Sequence, residues 1–310
     1  MSLFCLRNNV PSSNNIKIES YPLMINVVLR GGLGNNLFQY AIGRHLALKN
    51  NTTVRFDIQA YVNRKDILGG RIIRQLRFFS IDPISYTRNI RKKIGRRLGI
   101  LRSSFGDGVY HEKDWGFDPE VLSLDDGVCL DGCFQSEKYF KDIEEVIRSD
   151  LRFTKDSFGE EGVFYKEKIL ASNSVGIHVR RGDYMTSQLH NVCTMEYYAR
   201  SIAYIKGLVA LPHFFVFSDD VEWCSENLNI SDCTFVKVTA SGSNPLIDLQ
   251  LMSLCKHNII SNSTYSWWAA WLNENHEKIV VAPNRWFNDE SMNARALQDT
   301  IPDDWVHVDF

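Results

Sequence analysis

A chain of 310 residues with 44% hydrophobic and 23% charged residues has the balance of a globular protein, long enough for two α/β domains or one large one. A formal net charge of −2 gives it no overall attraction to nucleic acid, and no stretch reaches the ~18 apolar residues of a membrane span. Seven cysteines (Cys5, Cys129, Cys133, Cys193, Cys224, Cys233 and Cys255) stand singly, without a Cys-x-x-Cys pair, so reduced thiols fit better than a disulfide framework or a zinc site.

Residues 1–20 are polar, rich in Asn and Ser, and read as a flexible tail. They lack the apolar core of a signal peptide, which points to a cytoplasmic protein. An apolar run from Leu23 to Leu29 then meets Arg30-Gly31-Gly32-Leu33-Gly34-Asn35-Asn36. A helical pattern follows, with Leu37, Phe38, Ala41, Ile42, His45, Leu46 and Leu48 on its expected buried face, and Thr52–Phe56 reads as the next strand. Strand, glycine turn, helix, strand is the opening of a doubly wound unit. The turn departs from the dinucleotide fingerprint, because Leu37 stands at the third glycine position. It reads equally as a backbone-lined ligand loop at a helix start or as a tight turn needing positive φ.

Between Arg88 and Arg102 seven basic residues accompany Ile90, Ile94, Leu98 and Leu101 at helical spacing. This basic amphipathic segment suits either packing on its own domain or peripheral contact with an anionic membrane face. Val128–Phe134 reads as a strand and Glu137–Arg148 as a helix. From Glu160 onward the rhythm is regular. Helices are expected over Glu160–Ala171, Met195–Ile205, Val221–Leu228, Asn244–Leu254 and Tyr265–Asn273. Strands are expected over Val175–Val179, Phe214–Phe217, Thr234–Val238, His257–Ile260 and Lys278–Ala282. Such alternation predicts the α/β class with a parallel, doubly wound sheet.

Three loops of this half follow strands and therefore share one sheet edge, the edge where open α/β sheets bind ligands. The first is Arg180-Arg181-Gly182-Asp183, whose two guanidiniums form a fork suited to phosphate oxygens or, equally, a salt bridge closing a turn. The second is Ser218-Asp219-Asp220, whose carboxylates suit a ribose or a guanine. The third is Ser261-Asn262-Ser263-Thr264, hydroxyls at a helix start that suit a phosphate. Together they describe a seat for a nucleoside diphosphate. No Asp-x-Asp triplet is present, so arginine and helix dipole take the neutralising role a divalent metal plays elsewhere, and no metal or cofactor is expected. The rival readings from the residues alone are a nucleotide-dependent oxidoreductase and a non-catalytic sugar-nucleotide or glycan-binding module.

Five segments carry a resemblance that covers nearly the whole chain. They are Gly31-Gly-Leu-Gly-Asn-Asn-Leu-Phe-Gln-Tyr40, Gln135-Ser-Glu-Lys-Tyr-Phe140, Ile177-His-Val-Arg-Arg-Gly-Asp-Tyr184, Phe215-Val-Phe-Ser-Asp-Asp220 and the run from Cys255 to Trp271. In them the chain resembles the bacterial α-1,2-fucosyltransferases of glycosyltransferase family 11. The His-x-Arg-Arg-x-Asp core is also similar to that of α-1,6- and protein O-fucosyltransferases, whereas Ser-Asn-Ser-Thr-Tyr-Ser-Trp-Trp is the more specific sign of the α-1,2 group. The resemblance implies a GT-B-like fold of two Rossmann-type domains facing a cleft, an acceptor-side domain over 21–155 and a GDP-fucose-binding domain over 156–310. It implies metal-independent, inverting transfer of L-fucose from GDP-β-L-fucose to a galactose-terminated oligosaccharide or lipid-linked glycan. Arg180 would contact the diphosphate and His178 lie close to the nucleotide, with Arg181 beside them. Asp219 and Asp220 would lie near the nucleoside, Ser263 and Thr264 near the phosphates, and Gly32, Gly34 and Asn35 across the cleft. Asp183 is left with two readings, a catalytic base or the group that aims an arginine. Asn36 stands where many relatives have Gln. Trp267, Trp268 and Trp271 fall on a helix and read as core rather than as sugar platforms.

Overall fold

The computed structural model describes residues 24–57, 79, 85–87, 108–153, 158–237 and 245–310. The tail over 1–20 and the basic segment over 88–102 lie outside the described residues. The described residues form two parallel sheets. In the first, β1 (Ile25–Val28) lies at the centre, with β2 (Val54–Asp57) and β3 (Ser85–Thr87) on one side and β5 (Cys129–Asp131) and β4 (Val109–His111) on the other. Every neighbouring pair is parallel.

The second sheet holds β6 (Asn173–Val179), β7 (Pro212–Ser218), β8 (Cys233–Phe235), β9 (His257–Ile259), β10 (Val280–Pro283) and β11 (Val306–Val308). Their order is β11-β10-β9-β6-β7-β8, again all parallel. Strands buried on both faces explain why these runs are apolar without alternation. In β7, Phe214 and Val216 face one core cluster while Phe215 and Phe217 face the other.

The helices number α1 (Leu33–Lys49), α2 (Glu144–Asp150), α3 (Gly159–Leu170), α4 (Met195–Leu208), α5 (Val221–Asn227), α6 (Pro245–Ser253), α7 (Thr264–Trp271) and α8 (Glu290–Thr300). The expected elements of the second half are present with ends moved by a few residues. Three expectations are corrected. Glu137–Arg148 is not one helix: two 3₁₀ turns, Glu137–Tyr139 and Lys141–Ile143, precede α2. The strand expected over Val128–Phe134 ends at Asp131, since the N–H groups of Cys133 and Phe134 go to the Glu112 carboxylate and Phe134 takes φ of 53°. Leu48 does not share the buried face of α1 but is 41% exposed.

α1 is buried almost all round, at Leu33, Leu37, Phe38, Tyr40, Ala41, Ile42, Leu46 and Ala47, because it lies between its own sheet and α7. Phe38 meets Trp267 at 4.5 Å and Trp268 at 4.9 Å between ring centroids, and Trp268 stacks on Phe140 at 5.5 Å. One apolar cluster therefore runs from Ile25 on β1 to Trp305 and joins the two sheets. Trp267, Trp268 and Trp271 are core residues, as their helical placement predicts.

The far end of α7 is pinned by cations. Lys278 Nζ donates to the carbonyls of Ala270 (3.0 Å) and Asn273 (2.8 Å), and Arg148 Nη1 donates to that of Trp271 (2.7 Å). Positive charge at a helix C-terminus satisfies orphan carbonyls and complements the dipole. Burial lowers the Lys278 pKa to about 8. With its C-terminus so held, α7 presents its N-terminus at the junction of the sheets.

Candidate active site

Parallel pairing fixes which loops meet. Val179 pairs with Ser218 and Ile177 with Ile259, so Arg180–Asp183, Ser218–Asp220 and Ser261–Thr264 leave adjacent strands at one carboxyl edge. Arg180 is held from two sides: Nη2 donates to Asp183 Oδ1 at 2.5 Å, and Nη1 lies 2.8 Å from Asp219 Oδ2. A guanidinium has five N–H donors, so donors remain for a ligand. The side chain keeps 34% exposure, against 17% for Arg181.

Arg181 has the supporting part. Its guanidinium lies 3.5 Å over the Trp223 ring, its Nε donates to Asp220 Oδ2 at 3.0 Å, and its backbone N–H donates to Asp219 Oδ1 at 2.8 Å. Asp220 also caps α5 by accepting from the Trp223 N–H at 3.2 Å. Both aspartates expected beside a nucleoside thus face the arginines. A Cβ on Gly182 would lie 2.6 Å from Asp219 Oδ2, so a larger residue there would displace the carboxylate that holds Arg180. The salt-bridge and phosphate-fork readings describe the same groups: the carboxylates aim a guanidinium that still faces outward.

His178 lies beneath this fork on β6, 5% exposed, with Nδ1 2.9 Å from Ser261 Oγ. Burial, with a smaller contribution from the Arg180 charge, lowers its pKa to about 3. A neutral imidazole at this place supports the loop and adds no charge to the site at neutral pH.

The third loop meets the first sheet. Thr264 Oγ1 donates to Asn35 Oδ1 at 2.8 Å, and Gln135 Nε2 donates to the same oxygen at 3.3 Å. Ser263 caps α7 by accepting from the Tyr265 N–H at 3.4 Å. A Cβ on Gly34 would lie 2.5 Å from the Thr264 carbonyl carbon, so Gly34 permits the starts of α1 and α7 to touch. Gly31 supplies the positive φ, 79°, while the position of Gly32 opens onto free space. The positive-φ reading of the glycine turn is met at Gly31. Among the predicted residues, Arg180, Arg181, Asp183, Asp219, Asp220 and His178 form one cluster. Ser263, Thr264, Gly34 and Asn35 form the adjoining junction, and Gly32 lines the open space beside it.

Sequence reasoning passed over the carboxyl edge of the first sheet. There Arg30 Nη2 donates to Asp131 Oδ2 at 2.8 Å, and His111 Nδ1 lies 3.3 Å from the same oxygen. Glu112 is half-buried against the next turn and accepts the N–H groups of Cys133 (2.6 Å) and Phe134 (2.8 Å). Burial raises its pKa above the usual carboxylate range despite those bonds. Beside it a cavity of about 320 Å³ opens between Glu112, Phe117 and Asp118 on one side and Arg295, Gln298 and Asp299 of α8 on the other. The signal was available: His111 and Asp131 each end a short strand, as Arg180 follows one, but three-residue strands leave little periodicity to read.

An arginine fork on one carboxyl edge, a glycine turn abutting it and a pair of parallel sheets are the setting in which the chain's relatives become informative. The description of glycosyl transferase family 11 matches residues 127–309. The chain belongs to that family. An α-1,2-colitosyltransferase of Escherichia coli is 33% identical over 91% of this chain and 97% of its own. A galactoside α-(1,2)-fucosyltransferase 1 of Saimiri boliviensis boliviensis is 28% identical over 51% of this chain and 46% of its own. Among solved structures, the α-1,6-fucosyltransferase NodZ soaked with GDP-fucose is similar at TM-score 0.48 and 16% identity, over 81% of this chain and 93% of that one. The family 11 chain is therefore a glycosyltransferase, built on two parallel α/β sheets. Among the described residues no helix is long and apolar enough to cross a membrane.

Proposed function

We propose that this family 11 glycosyltransferase moves L-fucose from GDP-β-L-fucose to the 2-hydroxyl of a terminal galactose, forming an α-1,2 link with inversion and without a metal. The observation that carries the reading is the outward-facing Arg180, aimed by Asp183 and Asp219 beside the start of α7. As the anomeric bond to the diphosphate breaks, negative charge grows on the leaving phosphate. A guanidinium already fixed in place stabilises that charge without reorganising, the kind of contribution that is usually largest in such reactions. The N–H groups at the start of α7 add to it. Asp183, bonded to Arg180, serves as the group that aims the guanidinium. Asp219 and Asp220 exchange part of their arginine contacts for the nucleoside when donor binds.

The colitosyltransferase relative favours a second donor, because colitose is fucose without its 3-hydroxyl. Release of GDP from GDP-fucose and from GDP-colitose, with and without lactose and with EDTA, tests the reading. Lactose-dependent release that EDTA leaves intact, with GDP-fucose the faster donor, is expected. Faster turnover of GDP-colitose would reassign the donor, loss of activity with EDTA would overturn metal independence, and no lactose-dependent release from either would overturn the acceptor class.

A further inference from the structure

We propose that His111 is the base that accepts the proton of the acceptor hydroxyl and that Asp131 positions it. The proposal rests on the transfer reading above and adds the group which that reading leaves unassigned. His111 pairs with Asp131 in the β4–β5 register, and Asn26 of β1 pairs with Cys129 of β5, so Arg30, Asp131 and His111 share one carboxyl edge. The loop leaving β1 runs into α1, whose start touches Thr264 at the start of α7. α7 itself follows β9 at the carboxyl edge of the second sheet. The two carboxyl edges therefore converge, and His111 stands only two strand spacings, about 10 Å, from β1. An acceptor approaching a donor on Arg180 from the side of the first sheet passes this edge.

The chemistry of the cluster fits a proton acceptor. The Asp131 side chain is 16% exposed and receives Arg30 Nη2 at 2.8 Å, which fixes the carboxylate. Nδ1 lies 3.3 Å from that carboxylate, so a proton on Nδ1 faces Asp131 and leaves the lone pair of Nε2 for an incoming hydroxyl. The ring is 71% exposed, and among the described residues Nε2 has no partner. The groups around it are Asp131 and Arg30 from the neighbouring strands, and Glu112 and Lys113 next along its own chain. Cys133 lies behind Glu112, its thiol pushed up to about 11 by burial. Glu112 fixes the turn that follows Asp131 through its two backbone bonds. The other imidazoles near the cleft are engaged: His178 is buried against Ser261, and His190 Nδ1 lies 2.9 Å from Ser187 Oγ.

In the step, the acceptor oxygen forms its bond to the anomeric carbon as its proton passes to His111 Nε2. The bond from that carbon to the diphosphate breaks, and its electron pair leaves on the terminal phosphate oxygen of GDP, beside Arg180. The imidazolium is balanced by Asp131 and returns its proton to water.

The test is the pH dependence of kcat for transfer from GDP-fucose to lactose in the wild type, His111→Gln and Asp131→Asn, with GDP affinity measured by calorimetry alongside. General-base loss is expected to lower kcat about 10²-fold or more in His111→Gln and to remove the acid limb of the profile. GDP affinity should stay within twofold, as the ring lies off the donor seat. Asp131→Asn is expected to lower kcat less and to shift the acid limb. A His111→Gln enzyme within threefold of wild type with its acid limb intact overturns the base alone, as does equal loss of kcat and GDP affinity. A wild type that transfers nothing from GDP-fucose to a galactoside overturns the transfer reading itself.

Discussion

At the carboxyl edge of the second sheet two arginines share three aspartates; at that of the first, one arginine and one histidine share a single aspartate. The same kinds of residue serve opposite purposes. Around Arg180 the carboxylates flank the guanidinium, Asp183 at 70% exposure and Arg180 itself at 34%, and the cation they hold suits an anion that gains charge during reaction. Around Asp131 the carboxylate is the centre, and the exposed group is an imidazole, which suits a proton. In the transfer proposed above, the first would stand beside the leaving diphosphate and the second beside the incoming hydroxyl. The junction of Gly34, Asn35 and Thr264 sets the distance between them.

The sharpest way to break this contrast is to remove the cation. Arg180→Ala is expected to lower kcat by about 10²–10³-fold, and Arg180→Lys to recover little of it because the planar fork is lost. Steady-state rates over a donor range check this, and near-normal turnover in Arg180→Ala would remove the phosphate role. The junction comes next. In Gly34→Ala the new methyl meets Thr264 backbone, which cannot turn aside, so overpacking should cost about 1–3 kcal/mol in urea unfolding. Gly32→Ala meets nothing within 4 Å and should cost no more than about 1 kcal/mol. Equal losses at both glycines would deny the junction its special part.

A smaller effect concerns His178. Its folded pKa, about 3, lies below the ordinary 6.5, so on acidification the unfolded chain takes up the proton first. Its contribution to stability is complete above pH 6.5 and is lost as pH falls from 6.5 toward 3. Between pH 7 and pH 5.5 that loss amounts to about 1 kcal/mol. Denaturant unfolding at the two pH values should show a shallower pH dependence for His178→Asn than for the wild type, and parallel dependences would show that burial does not hold this ring neutral. The smallest effect is expected at Asp183. Asp183→Asn keeps an acceptor for Arg180 and should lower kcat less than tenfold, with the pH profile unchanged; loss of its acid limb would make Asp183 the base instead.

The second half of the fold was legible in the sequence because its strands run to seven residues in β6 and β7 and are apolar on both faces, and its helices begin at Thr, Asp and Ser caps. The loops after β6, β7 and β9 followed from parallel order alone. What could not be read was pairing. Nothing in Ser218-Asp219-Asp220 says that both carboxylates turn to the arginines of a neighbouring loop, since that depends on the Val179–Ser218 register. Nor does Gly34 reveal whether its missing side chain admits a ligand or, as found, another helix. The first half was less legible because β3, β4 and β5 have three residues each and 3₁₀ turns replace the first part of an expected helix. His111 and Asp131 are 20 residues apart in sequence and meet only through strand pairing.

The account turns on Arg180 holding the terminal phosphate of a nucleoside diphosphate. Calorimetric affinities for GDP and GMP, in the wild type and in Arg180→Ala, test it most directly. The wild type should bind GDP at least tenfold more tightly than GMP, a difference of about 1.4 kcal/mol, and Arg180→Ala should erase most of that gap. A gap that survives intact in Arg180→Ala would contradict the account.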